Sequence, residues 1–313
     1  MTDILPLVSI MIPAYNQEKY ISQAIECALM QDYPRLEIVV ADDCSTDGTE
    51  EAARRYTSDP RFRYFRNEVN LGRVGNYRNT LCNRVSGEWV VNLDGDDYYT
   101  DSSFISKAVK DILSQKNVVC LYGRKYYFDV LKKYRQYRIN ERSYCLPGKL
   151  YLQKFNEIGE FAHMVTLFRR DVAIRDGKCY TMNSVQSDFH ALIRLSIYGN
   201  VIISYTPGYQ WRRHGDNASV SFQDFKFKYL QNLRTQDRIM TDIGDAFTPE
   251  EKEQWLAESR NRARNTYVID TLKNVRTFRA LLLGLRNFRL EKTFLIIYLK
   301  AVLAIVFRID CFR

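Results

Sequence analysis

The sequence predicts an α/β protein built on a mostly parallel, doubly wound sheet with helices on both faces. Three observations predict it. Short apolar runs rich in β-branched residues recur through the first hundred residues, segments with helical spacing separate them, and each run stops at turn-forming residues. Strand and helix alternating at such short spacing bury their apolar faces best as βαβ units on one sheet.

The elements follow in order. Leu7–Ile12 (LVSIMI) reads as a buried strand closed by Pro13. Between Gln17 and Met30, the residues Ile21, Ala24, Ile25, Ala28 and Leu29 share one helical face, and Tyr33-Pro34 ends the segment. Leu36–Ala41 (LEIVVA) is a second strand, followed at once by Asp42-Asp43. Ser45-Thr46-Asp47-Gly48 is turn and capping chemistry ahead of a helix over Thr49–Tyr56. Phe62–Phe65 alternates as a third strand, Asn70-Leu71-Gly72 is a turn, and Val74–Val85 is a helix. Gly87 leads into a fourth strand, Trp89–Leu93, which ends in Asp94-Gly95-Asp96-Asp97.

Sheets of this kind bind ligands outside the carboxyl ends of their strands. Pro13-Ala14-Tyr15-Asn16, Asp42-Asp43 and Asp94–Asp97 are therefore expected on one edge. Three acids within four residues repel one another unless a cation or a set of donors holds them. The residues alone leave two readings: an oxygen-ligand site for Mg²⁺ or Mn²⁺, or a solvated acidic turn with one Asp capping the next helix.

Composition narrows the partners. The chain has 313 residues, 46% of them apolar, enough for one large domain or two small ones. Its net charge of +9 is concentrated from Trp255 onward, where twelve Lys and Arg face four Asp and Glu. A basic appendage is expected, and no nucleic-acid surface over the main domain. Seven scattered cysteines form no CxxC pair, and residues 1–12 lack the basic start and cleavage site of a leader, so reduced thiols and a cytoplasmic location are expected. The three histidines show no HExxH spacing. No GxGxxG follows the first strand and no GxxxxGK[ST] occurs, which disfavours dinucleotide and P-loop enzymes. A nucleotide would have its phosphates neutralised by metal and side chains instead.

The ordered motifs PAYN, VADDCSTDGT, NLG with Arg78-Asn79, and LDGDD resemble those of the family 2 glycosyltransferases with the GT-A fold. Those are inverting enzymes that use nucleotide-sugar donors and Mn²⁺ or Mg²⁺. The resemblance covers the N-terminal third firmly and the next third loosely. It implies that Pro13, Ala14 and Tyr15 lie against the nucleotide and that Asp43 accepts from the base, with Asp42 orienting the turn. Arg73 or Arg78 would reach base or phosphates, Arg73 by preference; either also suits a solvated helix face. Asp94, Gly95 and Asp96 form the DxD element, Asp96 on the metal with Asp94 on ribose or metal-bound water. Gly95 lets phosphates approach the backbone. Asp97 shares the metal, caps a helix or faces the acceptor side.

The family's general base is a carboxylate at a helix start well after the DxD. Asp188, ahead of Leu192, Leu195 and Ile197, fits, although Ser187 stands where many relatives have Glu. An N-terminal capping role is the alternative for Asp188. The segment from Tyr209 to Ser219 is similar to a YR-x-H-x-x-N-x-S element, in which His214 completes the metal shell or touches the diphosphate, or else contacts backbone. Arg212 and Arg213 are placed to meet phosphates. Trp211 lines the acceptor side or packs in the core. The segment from His163 to Arg170 looks like the strand and basic turn beneath the acceptor, with His163 near the site or simply packed. Asn117–Tyr127 reads as a strand, Lys132–Arg142 as a basic hairpin or loop, and residues 140–160 as irregular.

After Ser221 the composition changes. Phe225–Ile239 and Pro249–Thr271 read as helices, the second with Glu250 and Glu251 in its first turn. Arg276, Arg279, Arg286 and Arg289 share one side of a helical wheel, opposite Phe278, Leu281, Leu285 and Phe288. Thr293–Phe307 has Lys300 as its one charge and at about 1.5 Å per residue falls short of a bilayer core of about 30 Å. Two readings stand: attachment to an anionic membrane surface through residues 276–313, or helices that pack on the main domain or in a dimer.

The expected organisation is a GT-A domain over 1–221, with a nucleotide half (1–100) and an acceptor half (101–221), and a helical extension over 222–313. The expected activity is inverting transfer, of hexosyl or N-acetylhexosaminyl type, from a nucleotide sugar, a UDP-sugar by preference. The acceptor would be a glycan or lipid-linked hydroxyl in bacterial surface polysaccharide synthesis, on the inner face of the cell membrane. The rival readings are a nucleotidyltransferase, which normally needs a Gly-rich, Lys-bearing loop, and a non-catalytic membrane protein with a degenerate transferase fold.

Overall fold

The computed structural model describes residues 5–125, 129–212, 214 and 225–274. Contacts divide the chain into two compact units, residues 1–214 and 215–313.

The first unit begins β1 (Val8–Ala14), α1 (Ile21–Leu29), β2 (Leu36–Asp42), α2 (Thr49–Arg54), β3 (Phe62–Arg66), α3 (Gly72–Asn83) and β4 (Trp89–Asn92). It continues through β5 (Tyr98–Tyr99), α4 (Phe104–Leu113), β6 (Val118–Arg124), β7 (Ser143–Pro147), α5 (Gly148–Gln153) and α6 (Phe155–Ile158). It closes with β8 (Leu167–Arg169), α7 (Arg170–Ile174), α8 (Ser187–Ile193), β9 (Asn200–Tyr205) and β10 (Tyr209–Gln210). Eight strands form one sheet in the order β3-β2-β1-β4-β8-β6-β9-β7, and β5 pairs with β10.

The pairs β3-β2, β2-β1, β1-β4 and β6-β9 are parallel, while β8 runs antiparallel to both β4 and β6. Because β1 lies between β2 and β4, the chain leaves it in one direction and returns on its other side. That is the switch point where α/β sheets open a crevice. Every residue of β2, β4 and β6 is buried, as strands covered on both faces require. Ile10, Ile12, Ile38, Val40, Val91 and Leu121 form the centre of the core with Ile21, Ala24, Ile25 and Ala28 of α1.

The doubly wound α/β architecture matches the sequence expectation; several details differ. The first helix starts at Ile21 rather than Gln17. The N–H groups of Asn16, Gln17 and Glu18 are taken by the Ser45, Thr49 and Asp47 side chains, and Asn16 sits at φ 52°, so the chain is stitched to the neighbouring loop before it can wind. Residues 140–160, read as irregular, contain β7, α5 and α6. β7 pairs antiparallel with β9, and Gly148 permits a close turn, since a Cβ there would meet the Ser196 carbonyl at 1.8 Å. The basic stretch Lys132–Arg142, read as a hairpin or loop, begins within a run of 3₁₀ turns over Asp129–Tyr137 that buries Leu131 and Tyr134. The strand read as Asn117–Tyr127 ends at Arg124.

In the second unit, α9 (Phe225–Ile243) and α10 (Pro249–Asn274) pack on each other. Thr248 and Glu251 form a reciprocal cap, the Thr248 N–H donating to Glu251 at 2.9 Å and the Glu251 N–H to the Thr248 hydroxyl at 3.2 Å. Tyr229 stacks on Tyr267 at 5.1 Å, and Arg260 pairs with Asp237 at 2.7 Å. No described helix is long and apolar enough to cross a membrane. The basic amphipathic stretch 276–313 lies outside the described residues.

Candidate active site

β4 delivers its acids to the crevice. The Leu93 N–H still donates to Met11 of β1 at 2.9 Å, and the chain then turns, the Asp97 N–H closing onto the Asp94 carbonyl at 2.9 Å. This tight turn brings one oxygen each of Asp94, Asp96 and Asp97 within 4.8 Å of one another. Gly95 makes the turn fit, because a Cβ there would lie 2.5 Å from Gln17 Oε1 and 3.2 Å from Ile21 Cδ1. The close approach that this glycine permits in the structure is to α1 and the loop before it.

The three carboxylates differ in environment. Burial raises Asp94, but the His163 imidazole, the Tyr77 hydroxyl and Arg73 outweigh it and hold it below the usual range. Burial and the neighbouring Asp94 raise Asp96, opposed by His214. Burial, then Asp94, push Asp97 up to about 8. Asp97 is 1% exposed; its Oδ1 accepts the Arg212 N–H at 2.8 Å, while its buried Oδ2 has no hydrogen-bond partner among the described residues. An orphaned carboxylate oxygen beside two further acids is a donor set suited to a hard divalent cation. His214 joins from the far end of the unit, its Nε2 lying 2.9 Å from Asp96 Oδ2 and its ring stacked on Tyr20 at 4.6 Å.

His163 links this cluster to Asp188. Because β8 runs against β4, the residues just before β8 arrive at the carboxyl end of β4. There His163 Nε2 lies 3.1 Å from Asp94 Oδ2 and Nδ1 lies 2.9 Å from Asp188 Oδ2. Burial pushes the imidazole down, but Asp94 and Asp188 overcome it and hold its pKa well above 6.5. When protonated, as this direction favours, His163 donates from both nitrogens. Burial raises Asp188 in turn, and His163 and Arg73 bring it down to about 2. Asp188 sits in the first turn of α8, and Phe189 beside it packs on Phe155 at 5.2 Å and Phe161 at 5.7 Å.

Other sequence-selected residues take separate places. Asp42 is fully buried and orients the turn: it accepts from the Ser45 N–H at 2.9 Å, the Tyr64 hydroxyl at 2.6 Å and Arg66 at 3.1 Å. Asp43 accepts from Asn67 at 2.7 Å and the Leu71 N–H at 2.8 Å, holding the loops after β2 and β3 together. Pro13 and Ala14 finish β1, and Tyr15 beyond them is 47% exposed. Arg73 donates to the Ser184 carbonyl at 2.7 Å and acts on both Asp94 and Asp188. Arg78 instead donates to the carbonyls of Gly177 and Cys179, each at 2.8 Å, and so pins the chain ahead of α8. Trp211 is half-buried against the core. Arg213 lies outside the described residues.

Two residues escaped the sequence reading. Tyr77 donates to Asp94, and its ring stacks on Tyr180 at 5.0 Å. Tyr180, at φ 51°, receives a hydrogen bond from Asn92. Neither belongs to a motif, and only the backbone conformation at Tyr180, unfavourable for an aromatic residue, marks the spot.

The fold is that of the GT-A glycosyltransferases. Staphylococcus aureus TarS 1–349 in complex with UDP superposes with a TM-score of 0.62 at 22% identity, over 95% of this chain and 81% of that one. The mannosyltransferase PcManGT of Pyrobaculum calidifontis, in complex with GDP-Man and Mn²⁺, superposes at 0.61 with 18% identity, over 98% and 88%. The chain belongs to glycosyl transferase family 2, whose model matches residues 9–177. Among sequences, it is 26% identical over 270 residues to the S. aureus poly(ribitol-phosphate) beta-N-acetylglucosaminyltransferase TarS, covering 81% of this chain and 44% of the relative. It is 39% identical over 98 residues to Bacillus subtilis TuaG, a glycosyltransferase named for teichuronic acid biosynthesis, covering 31% of this chain and 38% of TuaG. The chain thus spans less than half the length of these relatives.

Proposed function

We propose that this chain is a metal-assisted, inverting glycosyltransferase. It moves a hexosyl or N-acetylhexosaminyl group from a nucleotide sugar, a UDP-sugar by preference, to a hydroxyl of a glycan or lipid-linked acceptor in surface polysaccharide synthesis. The observation that carries the reading is the carboxylate triad at the switch point, tied through His163 to a further carboxylate on α8. Family membership and the names of TarS and TuaG support the reaction class and the polymer context.

Asp96 and Asp94, with Asp97 and His214 beside them, would hold Mn²⁺ or Mg²⁺. When bound, that ion supplies positive charge to the departing diphosphate. Pro13, Ala14, Tyr15 and Asp43 border the nucleotide side, with Gly95 forming the tight turn and Arg73 and Arg78 on the flank. Asp188 takes the proton of the attacking hydroxyl. While the imidazolium holds it at about 2, Asp188 is a weak base. An acceptor that excludes water around it raises it, and loss of the second proton from His163 removes the pull that lowers it. Residues 276–313 attach the chain to an anionic membrane surface, on the cytoplasmic side.

Asp188→Asn tests the assignment of the base. Transfer should be lost while UDP-sugar binding persists; retained transfer would remove Asp188 as the base.

A further inference from the structure

A cavity of about 730 Å³ opens in the first unit, and none of its lining side chains belongs to the triad or to the His163 link. Its walls come from α1, the β5-β10 pair and the end of β6. Tyr98, Tyr209 and Trp211 supply aromatic surface, Gln23 supplies an amide, and Lys125 and Arg212 supply positive charge. The size falls within the roughly 300–1,000 Å³ of small-molecule sites.

The charges decide what it takes. Lys125 Nζ lies 5.5 Å from the centroid of the Tyr209 ring and makes no ion pair among the described residues. The Arg212 guanidinium lies 4.6 Å from the Tyr20 ring and 5.2 Å from Tyr98, and donates to the Gln23 side chain; it too has no carboxylate partner among the described residues. Two cations with no carboxylate partner among the described residues give this cavity a positive potential that suits a bound anion. Aromatic faces with amides between them suit the C–H and hydroxyl surfaces of a sugar or polyol. The cavity also adjoins the proposed metal end, because the backbone N–H of Arg212 donates to Asp97 at 2.8 Å and Tyr98 follows Asp97 in the chain.

We propose that this cavity is an acceptor subsite for an anionic saccharide or polyol unit, one carrying a phosphodiester or a carboxylate. It holds a unit of the acceptor chain neighbouring the one that reacts. The acceptor role rests on the glycosyltransferase reading above.

The test uses the full chain, with calorimetric titration of three short oligomers of equal length: glycerol phosphate, galacturonic acid and neutral maltose units. At least one anionic oligomer should bind about tenfold more tightly than the neutral one. Lys125→Gln should lose about that factor, and Lys125→Arg should keep it. Which anionic oligomer binds distinguishes phosphodiester from carboxylate. Equal binding of all three, or Lys125→Gln binding as the parent does, would overturn the proposal. Mn²⁺-dependent hydrolysis of UDP-sugars without acceptor, measured on the same preparation, tests the underlying reading separately. Hydrolysis without a preference for anionic oligomers sinks the subsite alone. A preference for anionic oligomers without hydrolysis of any nucleotide sugar supports the cavity's ligand but overturns its acceptor role.

Discussion

Replacing His163 by Gln removes the imidazolium between Asp94 and Asp188. Two charge-assisted hydrogen bonds are at stake, at 3.1 and 2.9 Å. The three side chains are 20%, 30% and 21% exposed, so solvent screens the pair only partly. Each such bond contributes about 1.5–3 kcal/mol. Gln can restore at most part of one, and Asp94 keeps its bond from Tyr77, so the net loss should be about 3 kcal/mol. For a unit of this size, that corresponds to a fall in Tm of about 6–12 °C. The pH dependence has a definite sign. His163 is raised above 6.5, so its contribution is complete below that pH and fades as pH rises through the folded value. Asp188 is lowered from 3.8 to about 2, so its contribution is complete above 3.8 and is lost as pH falls through about 2. The gap between parent and variant should be widest between about pH 4 and 6.5. Thermal unfolding in EDTA across this range measures it. A variant within a degree of the parent at pH 6 would refute the ion-pair link.

Three other perturbations test separate parts of the site and tail. Asp97 sits at about 8, chiefly through burial, so metal binding below that pH must displace its proton. Mn²⁺ titrations at pH 7 should release protons and tighten toward pH 8, and heats independent of the buffer's ionisation enthalpy would contradict this. Gly123→Ala puts a Cβ 2.1 Å from the Val165 carbonyl, in the turn that carries His163. It should cost about 1–3 kcal/mol and lower transfer, and parental stability in thermal unfolding would show that the turn yields freely. Deleting residues 275–313 should abolish co-sedimentation with anionic vesicles, and undiminished binding would move the membrane contact elsewhere.

The parallel half of the fold was legible because buried strands are continuous apolar runs with abrupt stops. β1, β2 and β4 stand out for that reason, and so do the acids that follow β2 and β4. The second half resists this reading. β8 is three residues long, β7 is an edge strand of mixed composition, and their pairing is antiparallel and long-range. Asp188 was singled out through the resemblance to the family's helix-start carboxylate, and the apolar periodic run after it marked the helix in whose first turn it lies. The role of His163 depends on β8 running against β4, which no local pattern encodes. Arg78 shows the opposite problem: a basic residue in a suggestive motif whose donors go to backbone carbonyls. Tyr77 and Lys125 carry no sequence signal at all; only the folded chain sets one beside Asp94 and the other on a cavity wall.

The most direct measurement is hydrolysis of a panel of nucleotide sugars by the full chain with Mn²⁺, with EDTA, and with Asp96→Asn in place of the parent. The expected result is turnover of one donor, with a UDP-sugar foremost, abolished by EDTA and lowered at least about a hundredfold by the substitution. Absence of turnover with every donor, or hydrolysis by Asp96→Asn at the parental rate, would contradict metal-assisted sugar transfer at this site.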